Sequence, residues 1–188
     1  DLSEGAKSYI RGLVKMEIYD YHTRIENKYL KKGIMCEDDS INLHNEVFFT
    51  RYMKNEVRMV NEFISGECDV ITPDTIQDYK TSWSKETFPE LPEDIEVGGY
   101  EWQGRGYMML YNRPLFELVY CLVDTPDELL DFETNFTPHH VEDIAPELRI
   151  TKLFFERDYG KEALIEHKVK ESRRYANYRK QQIQNKHS

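Results

Sequence analysis

The sequence predicts an α/β fold, a mixed central β-sheet flanked by helices and finished by a long C-terminal helix. Three observations carry that class. Residues 57–71 and 76–83 read as strands joined by Thr72-Pro73-Asp74-Thr75, a four-residue turn. Residues 116–123 form a nearly continuous apolar run, the pattern of a strand buried on both faces. Helical spacing governs both ends of the chain, giving the order helix, helix, hairpin, helix, strand, strand, helix.

Each element has a local reason. Ser3 is placed to cap a helix running to about Tyr21, with Tyr9, Leu13, Met16 and Ile18 as its apolar positions. A second helical stretch spans residues 25–50, with Gly33 inside it or breaking it, and Ile34, Ile41 and Phe48 as its apolar stripe. Residues 84–99 hold Pro89, Pro92 and Gly98-Gly99 among acidic side chains, which is loop chemistry. A helix is predicted over residues 100–111 and a strand over 150–155. Residues 124–148, with three prolines, read as irregular, and residues 159–184 as the long final helix. The 188 residues read as one domain, a core over about 1–158 and a basic helix over about 159–186.

Composition narrows the class. A hydrophobic content of 39% with 13% aromatics excludes a disordered chain. No apolar run reaches the roughly 20 residues of a membrane span, and no signal peptide is apparent. The chain begins at Asp1 rather than Met, which leaves room for preceding residues. Cys36, Cys68 and Cys121 lack Cys-x-x-Cys spacing, which argues against zinc and iron–sulfur sites and for a reducing cytoplasm. The net charge of −10 counts mildly against nucleic acid. Residues 152–188, however, carry ten Lys and Arg against five Asp and Glu.

The hairpin carries the chemistry. With Ile71 facing Ile76, Asp69 falls opposite Asp78, and strand alternation puts Lys80 on the same face. Like charges directly opposed destabilise a hairpin, so the pair implies a cation and a divalent-metal phosphodiesterase site. The same register sets Lys80 opposite Glu67, which would make a plain surface ion pair; a slip of one residue would separate the aspartates. Glu37 falls on the apolar stripe of the second helix, a place where a carboxylate needs a partner, or at its solvent edge. Tyr100, Gln103 and Tyr107 share one helix face. Gly104 and Gly106 within that helix imply a close approach, either by the sheet or by a substrate strand. Lys161, Lys168, Lys170, Arg173, Arg174, Arg179 and Lys180, interleaved with Tyr175 and Tyr178, read as a solvated face or a phosphate-binding one. His139-His140, near Glu142 and Asp143, reads as a solvent-exposed pair.

Taken in order, Glu37 on a helix, Gly66-x-x-Asp69, Asp78-x-Lys80-Thr81-Ser82 and Gln103-x-x-x-Tyr107 resemble the PD-(D/E)xK nuclease superfamily. The spacing is similar to its RecB-type and phage-exonuclease (YqaJ and lambda-exonuclease-like) branch. Residues 28–41, with Gly33-x-x-x-Glu37, resemble the helix motif of the phage enzymes, and residues 3–9 their opening segment. The resemblance covers about residues 1–123. The Pro-Asp dipeptide of the family name is missing from the Asp69 motif; Pro73-Asp74 lies in the turn, so Asp74 is not taken as the ligand.

The resemblance implies a restriction-endonuclease-like core and a Mg²⁺- or Mn²⁺-dependent DNA exonuclease. Asp69, Asp78 and the backbone carbonyl of Tyr79 would bind the catalytic ion, and Glu37 a second ion or its water. Lys80 would orient the attacking water, with Gln103 and Tyr107 positioning the DNA backbone or the lysine. Ser8 and Arg24 would hold a terminal phosphate, and Ser82, Trp83 and Tyr100 would contact DNA. The implied setting is phage or bacterial recombination or replication in the host cytoplasm. A duplex end is the implied substrate, with a single-strand annealing protein and further copies of the chain as partners. A structure-specific or restriction-type endonuclease shares these motifs, and so does a catalytically silent module that keeps the scaffold. An acidic DNA mimic would explain the charge but not Lys80, Gln103 and Tyr107.

Overall fold

The computed structural model describes residues 1–131 and 135–186. They form two compact units, one of Asp1–Ile25, Asn61–Ile64 and Asp158–Ser188, the other of Glu26–Val60 and Ser65–Arg157.

The first unit is a helix pair. Helix α1 (Glu4–Tyr19) starts at Ser3, whose Oγ accepts the Ala6 N–H at 3.2 Å. The residues it buries are Ile10 and Val14, one turn apart, whereas Tyr9 and Leu13 are 70% and 42% exposed. The expected apolar face is therefore off by one position, because a helix rich in large apolar side chains offers two adjoining stripes. The final helix, numbered α5 below, spans Tyr159–Gln184, and Asp158 caps it through the Lys161 N–H. Arg11 donates to the Tyr175 hydroxyl at 3.2 Å, and Lys180 pairs with Glu17 at 2.5 Å. Lys168 and Lys170 also pair along α5 with Glu171 and Glu166, so several of its cations serve surface ion pairs of small individual worth.

The second unit holds the sheet. Helix α2 (Lys28–Met35) is capped by Asn27, and α3 (Glu37–Phe48) follows after a single residue. The chain breaks at Cys36 (φ −105°, ψ 15°) rather than at Gly33, which lies inside α2. That break disperses the expected stripe: Ile34 on α2 is 67% exposed and Ile41 on α3 is buried.

The predicted long strand over residues 57–71 is three short ones, β1 (Met59–Val60), β2 (Ser65–Gly66) and β3 (Val70–Ile71). Asn61 accepts the N–H groups of Phe63 and Ile64 through Oδ1 and turns the chain between β1 and β2, which pair with each other. The main sheet runs β3-β4-β5-β6, with β4 Thr75–Thr81, β5 Leu115–Cys121 and β6 Ile150–Glu156. Only the central β4–β5 pair is parallel, and α4 (Gly98–Tyr111) lies in the crossover such a pair requires. One side of the sheet buries Ile41, Leu43, Val70, Tyr79, Val119 and Cys121 in a common core. On the other, α4 packs so closely that a Cβ at Gly104 would collide with the Phe116 ring, which decides for the sheet as the cause of that glycine. His139 is buried rather than exposed: its Nδ1 lies 3.2 Å from both Thr125 Oγ1 and the Trp83 carbonyl. His140 is the exposed member, 3.8 Å from Asp127.

Candidate active site

Strand β4 places Asp78 and Lys80 on one face and turns the Tyr79 ring into the core on the other. Pairing of Val70 with Gln77 and of Ile71 with Ile76 is the register the sequence predicted. Asp69 sits just before β3, where this ladder ends, and accepts the Tyr79 N–H through Oδ2 at 2.6 Å. In an extended strand the N–H and C=O of one residue leave the same edge, so the Tyr79 carbonyl also faces the edge beside Asp69. The ion pair between Lys80 and Glu67 is not formed. Lys80 Nζ instead lies 2.5 Å from Asp78 Oδ2, and Glu67 lies 3.8 Å from Arg58.

Helix α4 closes the face. Gln103 Nε2 donates to Tyr107 Oη at 2.9 Å and to Asp78 Oδ1 at 3.4 Å, while its Oε1 is 3.5 Å from Lys80 Nζ. The third member of that helix face, Tyr100, presents its ring 4.7 Å from the Lys80 ammonium. A Cβ on Gly66 would come within 2.7 Å of the Tyr107 ring, so glycine there lets the tyrosine lie against β2.

Glu37 stands in the first turn of α3 and pairs with Lys54 at 3.0 Å. Its charge is close enough to push both aspartates upward. Asp69 rises to about 7, first through burial, then through the Asp78 charge, against the opposing Tyr79 N–H and Lys80. Asp78, 2% exposed, is raised mainly by burial and is held back by Lys80. Burial also lifts the Tyr107 phenol to about 12, so it is a neutral hydrogen-bonding group.

These residues suit a hard divalent cation. The donors are all oxygens, and buried Asp78 has Lys80 2.5 Å from its Oδ2. Among the described residues no three His, Cys, Asp or Glu side chains are close enough to enclose an ion.

The remaining residues separate. Ser82 is buried and its carbonyl accepts from Lys32, while half-buried Trp83 meets Tyr29 and His139 edge-on. Ser8 on α1 and Arg24 after it are exposed and belong to the helix-pair unit. Sequence reasoning missed Lys54, the partner of Glu37, and Lys32, which is wholly buried. Lys54 falls between predicted elements and Lys32 off the apolar stripe of its helix, so the sequence gives no signal for either role.

A mixed sheet of this topology, with two facing carboxylates and a lysine on one face, is the arrangement that the resemblance to PD-(D/E)xK nucleases implies. Comparison with solved structures narrows the branch. A phage-related exonuclease from Haemophilus somnus 129PT is 29% identical over 98% of this chain and 85% of its own, with a TM-score of 0.89. The alkaline exonuclease LHK-Exo from Laribacter hongkongensis shares the fold at 13% identity, covering 99% of this chain and 87% of its own, with a TM-score of 0.68. LHK-Exo in complex with dAMP aligns with a TM-score of 0.67 at 14% identity, over 96% of this chain and 84% of its own. No family model and no curated protein sequence matches the chain. The resemblance read from the sequence holds in three dimensions: this chain is a nuclease with the fold of the phage-exonuclease branch.

Proposed function

We propose that the chain is a Mg²⁺-dependent DNA exonuclease that hydrolyses phosphodiester bonds from the ends of duplex DNA, its two units acting as one nuclease domain. The burial of Asp69 beside Asp78, with Lys80 against Asp78, carries this reading. Facing carboxylates cost stability unless a cation offsets them, so a silent scaffold has no reason to keep them.

Asp69, Asp78 and the Tyr79 carbonyl are assigned to a catalytic Mg²⁺ or Mn²⁺, and Glu37 to a second ion or its water. When bound, the ion supplies an acidified water and neutralises charge on the phosphodiester. Lys80 is assigned to orient the attacking water and to offset the negative charge that would develop on the departing deoxyribose oxygen. Gln103 holds Lys80 and Asp78 in place and is itself held by Tyr107. Tyr100, Ser82 and Trp83 are assigned to the strand near the cleaved bond, and Ser8 with Arg24 to a terminal phosphate. The setting is DNA recombination or replication of a phage in a bacterial cytoplasm, alongside an annealing protein and further copies of the chain. No helix among the described residues is long and apolar enough to cross a membrane.

Linear duplex and covalently closed circular duplex, each offered with Mg²⁺, separate the modes of attack. Loss of nucleotides from the linear form alone is expected. Nicking or linearisation of the closed circle would replace the exonuclease reading with an endonuclease one.

A further inference from the structure

Lys32 on α2 is buried to 1% exposure. Its ammonium, with three N–H groups to donate, lies within hydrogen-bond distance of four oxygens, the carbonyls of Ser82 (2.7 Å), Trp83 (3.1 Å) and Val123 (2.9 Å) and Thr125 Oγ1 (2.8 Å). A buried ammonium is costly unless so satisfied, and an apolar residue would fill the place more cheaply. Burial pulls its pKa down to about 8, with the nearby Cys36 and Asp124 opposing, so it remains charged at neutral pH.

What Lys32 joins is specific. Ser82 and Trp83 leave the strand that carries Asp78 and Lys80, and Val123 and Thr125 leave its parallel neighbour β5. Lys32 itself lies one residue beyond a helical turn before Glu37, and the Cys36 N–H at the helix junction bonds to the Lys32 carbonyl. Glu37 itself pairs with Lys54. A second tie of the same kind follows Glu37 on α3, where Ser40 Oγ meets Thr81 Oγ1 at 2.9 Å.

We infer that Lys32 is a positioning residue that fixes the Glu37 helix against the Asp78–Lys80 strand and so sets the spacing of the metal-binding carboxylates. The inference rests on the metal reading of those carboxylates. A group that orients ligands from behind is worth about 10- to 100-fold in metal affinity.

Mn²⁺ uptake, followed by loss of the free-ion EPR signal, tests this without any cleavage assay. In folded Lys32→Met, verified by circular dichroism, affinity is expected to fall at least about tenfold. Adding Glu37→Gln to Lys32→Met should weaken it little further, because both act on one ligand. Unchanged affinity in folded Lys32→Met would overturn the inference, as would fully additive losses. Should Lys32→Met not fold, Thr125→Val removes one of the four acceptors at constant shape, and its affinity decides in the same way. A wild type that binds Mn²⁺ yet cleaves no DNA leaves the inference standing and sinks the nuclease reading. A wild type that takes up no Mn²⁺ overturns the metal reading and this inference with it.

Discussion

Gln103 bridges the strand to the helix: one amide nitrogen reaches Tyr107 Oη at 2.9 Å and Asp78 Oδ1 at 3.4 Å, and its oxygen faces Lys80. The side chain therefore sets the mutual geometry of an acid and a base that both belong to the candidate reaction. Gln103→Leu removes all three contacts in a half-buried position. Cleavage is expected to fall roughly tenfold to a hundredfold, since each lost contact is worth about 1 kcal/mol. Tyr107→Phe, which removes only the outer hydroxyl, is expected to lose about tenfold or less. Steady-state rates of both variants check the order; a Tyr107→Phe loss larger than that of Gln103→Leu would contradict it.

Asp69 makes the metal-free protein sensitive to pH. Its folded value, about 7, lies above the usual carboxylate range because of burial and the Asp78 charge. Between about 4 and 7 the folded state then keeps a proton that the unfolded chain has released, so its contribution to stability falls as pH rises. Thermal melts in EDTA should show this fall, and Asp69→Asn should flatten it. Added Mg²⁺ should raise the melting temperature more at pH 8 than at pH 6, because the ligand must be ionised. Equal gains at the two pH values would count against Asp69 as a metal ligand.

His44 gives the opposite slope in acid. It packs among Phe48, Tyr52 and Tyr79, and burial, aided by the Lys152 charge, lowers it to about 4. The unfolded chain therefore takes up a proton between about 6.5 and 4 that the folded one does not, and stability falls as pH drops. His44→Gln should reduce the loss over that window in urea titrations; an unchanged loss would refute the assignment.

Gly104 is a packing glycine. Alanine would drive a methyl group into Phe116 near the start of β5, at a cost of about 1–3 kcal/mol. Denaturant unfolding of Gly104→Ala checks this, and the same substitution should cost less in a chain whose Phe116 is already truncated.

Much of this site is legible in the sequence because it is local. Asp69 and Asp78 are joined by one turn, so the facing of Ile71 and Ile76 suffices to align them. Gln103 and Tyr107 lie one helical turn apart, and that spacing alone puts them on one face. The errors come where tertiary contacts override local pattern. The strand over residues 57–71 breaks because Asn61 satisfies its own neighbours, and the second helix breaks at Cys36, whose thiol is buried. Lys32 is the extreme case: its four partners lie 50 or more residues away, beyond any periodicity argument.

Lys80 offers the most direct test. Nucleotide release from linear duplex DNA is measured with Mg²⁺, with EDTA, and with Lys80→Ala at matched fold. The account predicts release that requires the metal and falls by about a thousandfold in the variant, the scale of losing one transition-state donor. Release that persists in EDTA, or that Lys80→Ala leaves unchanged, would contradict it.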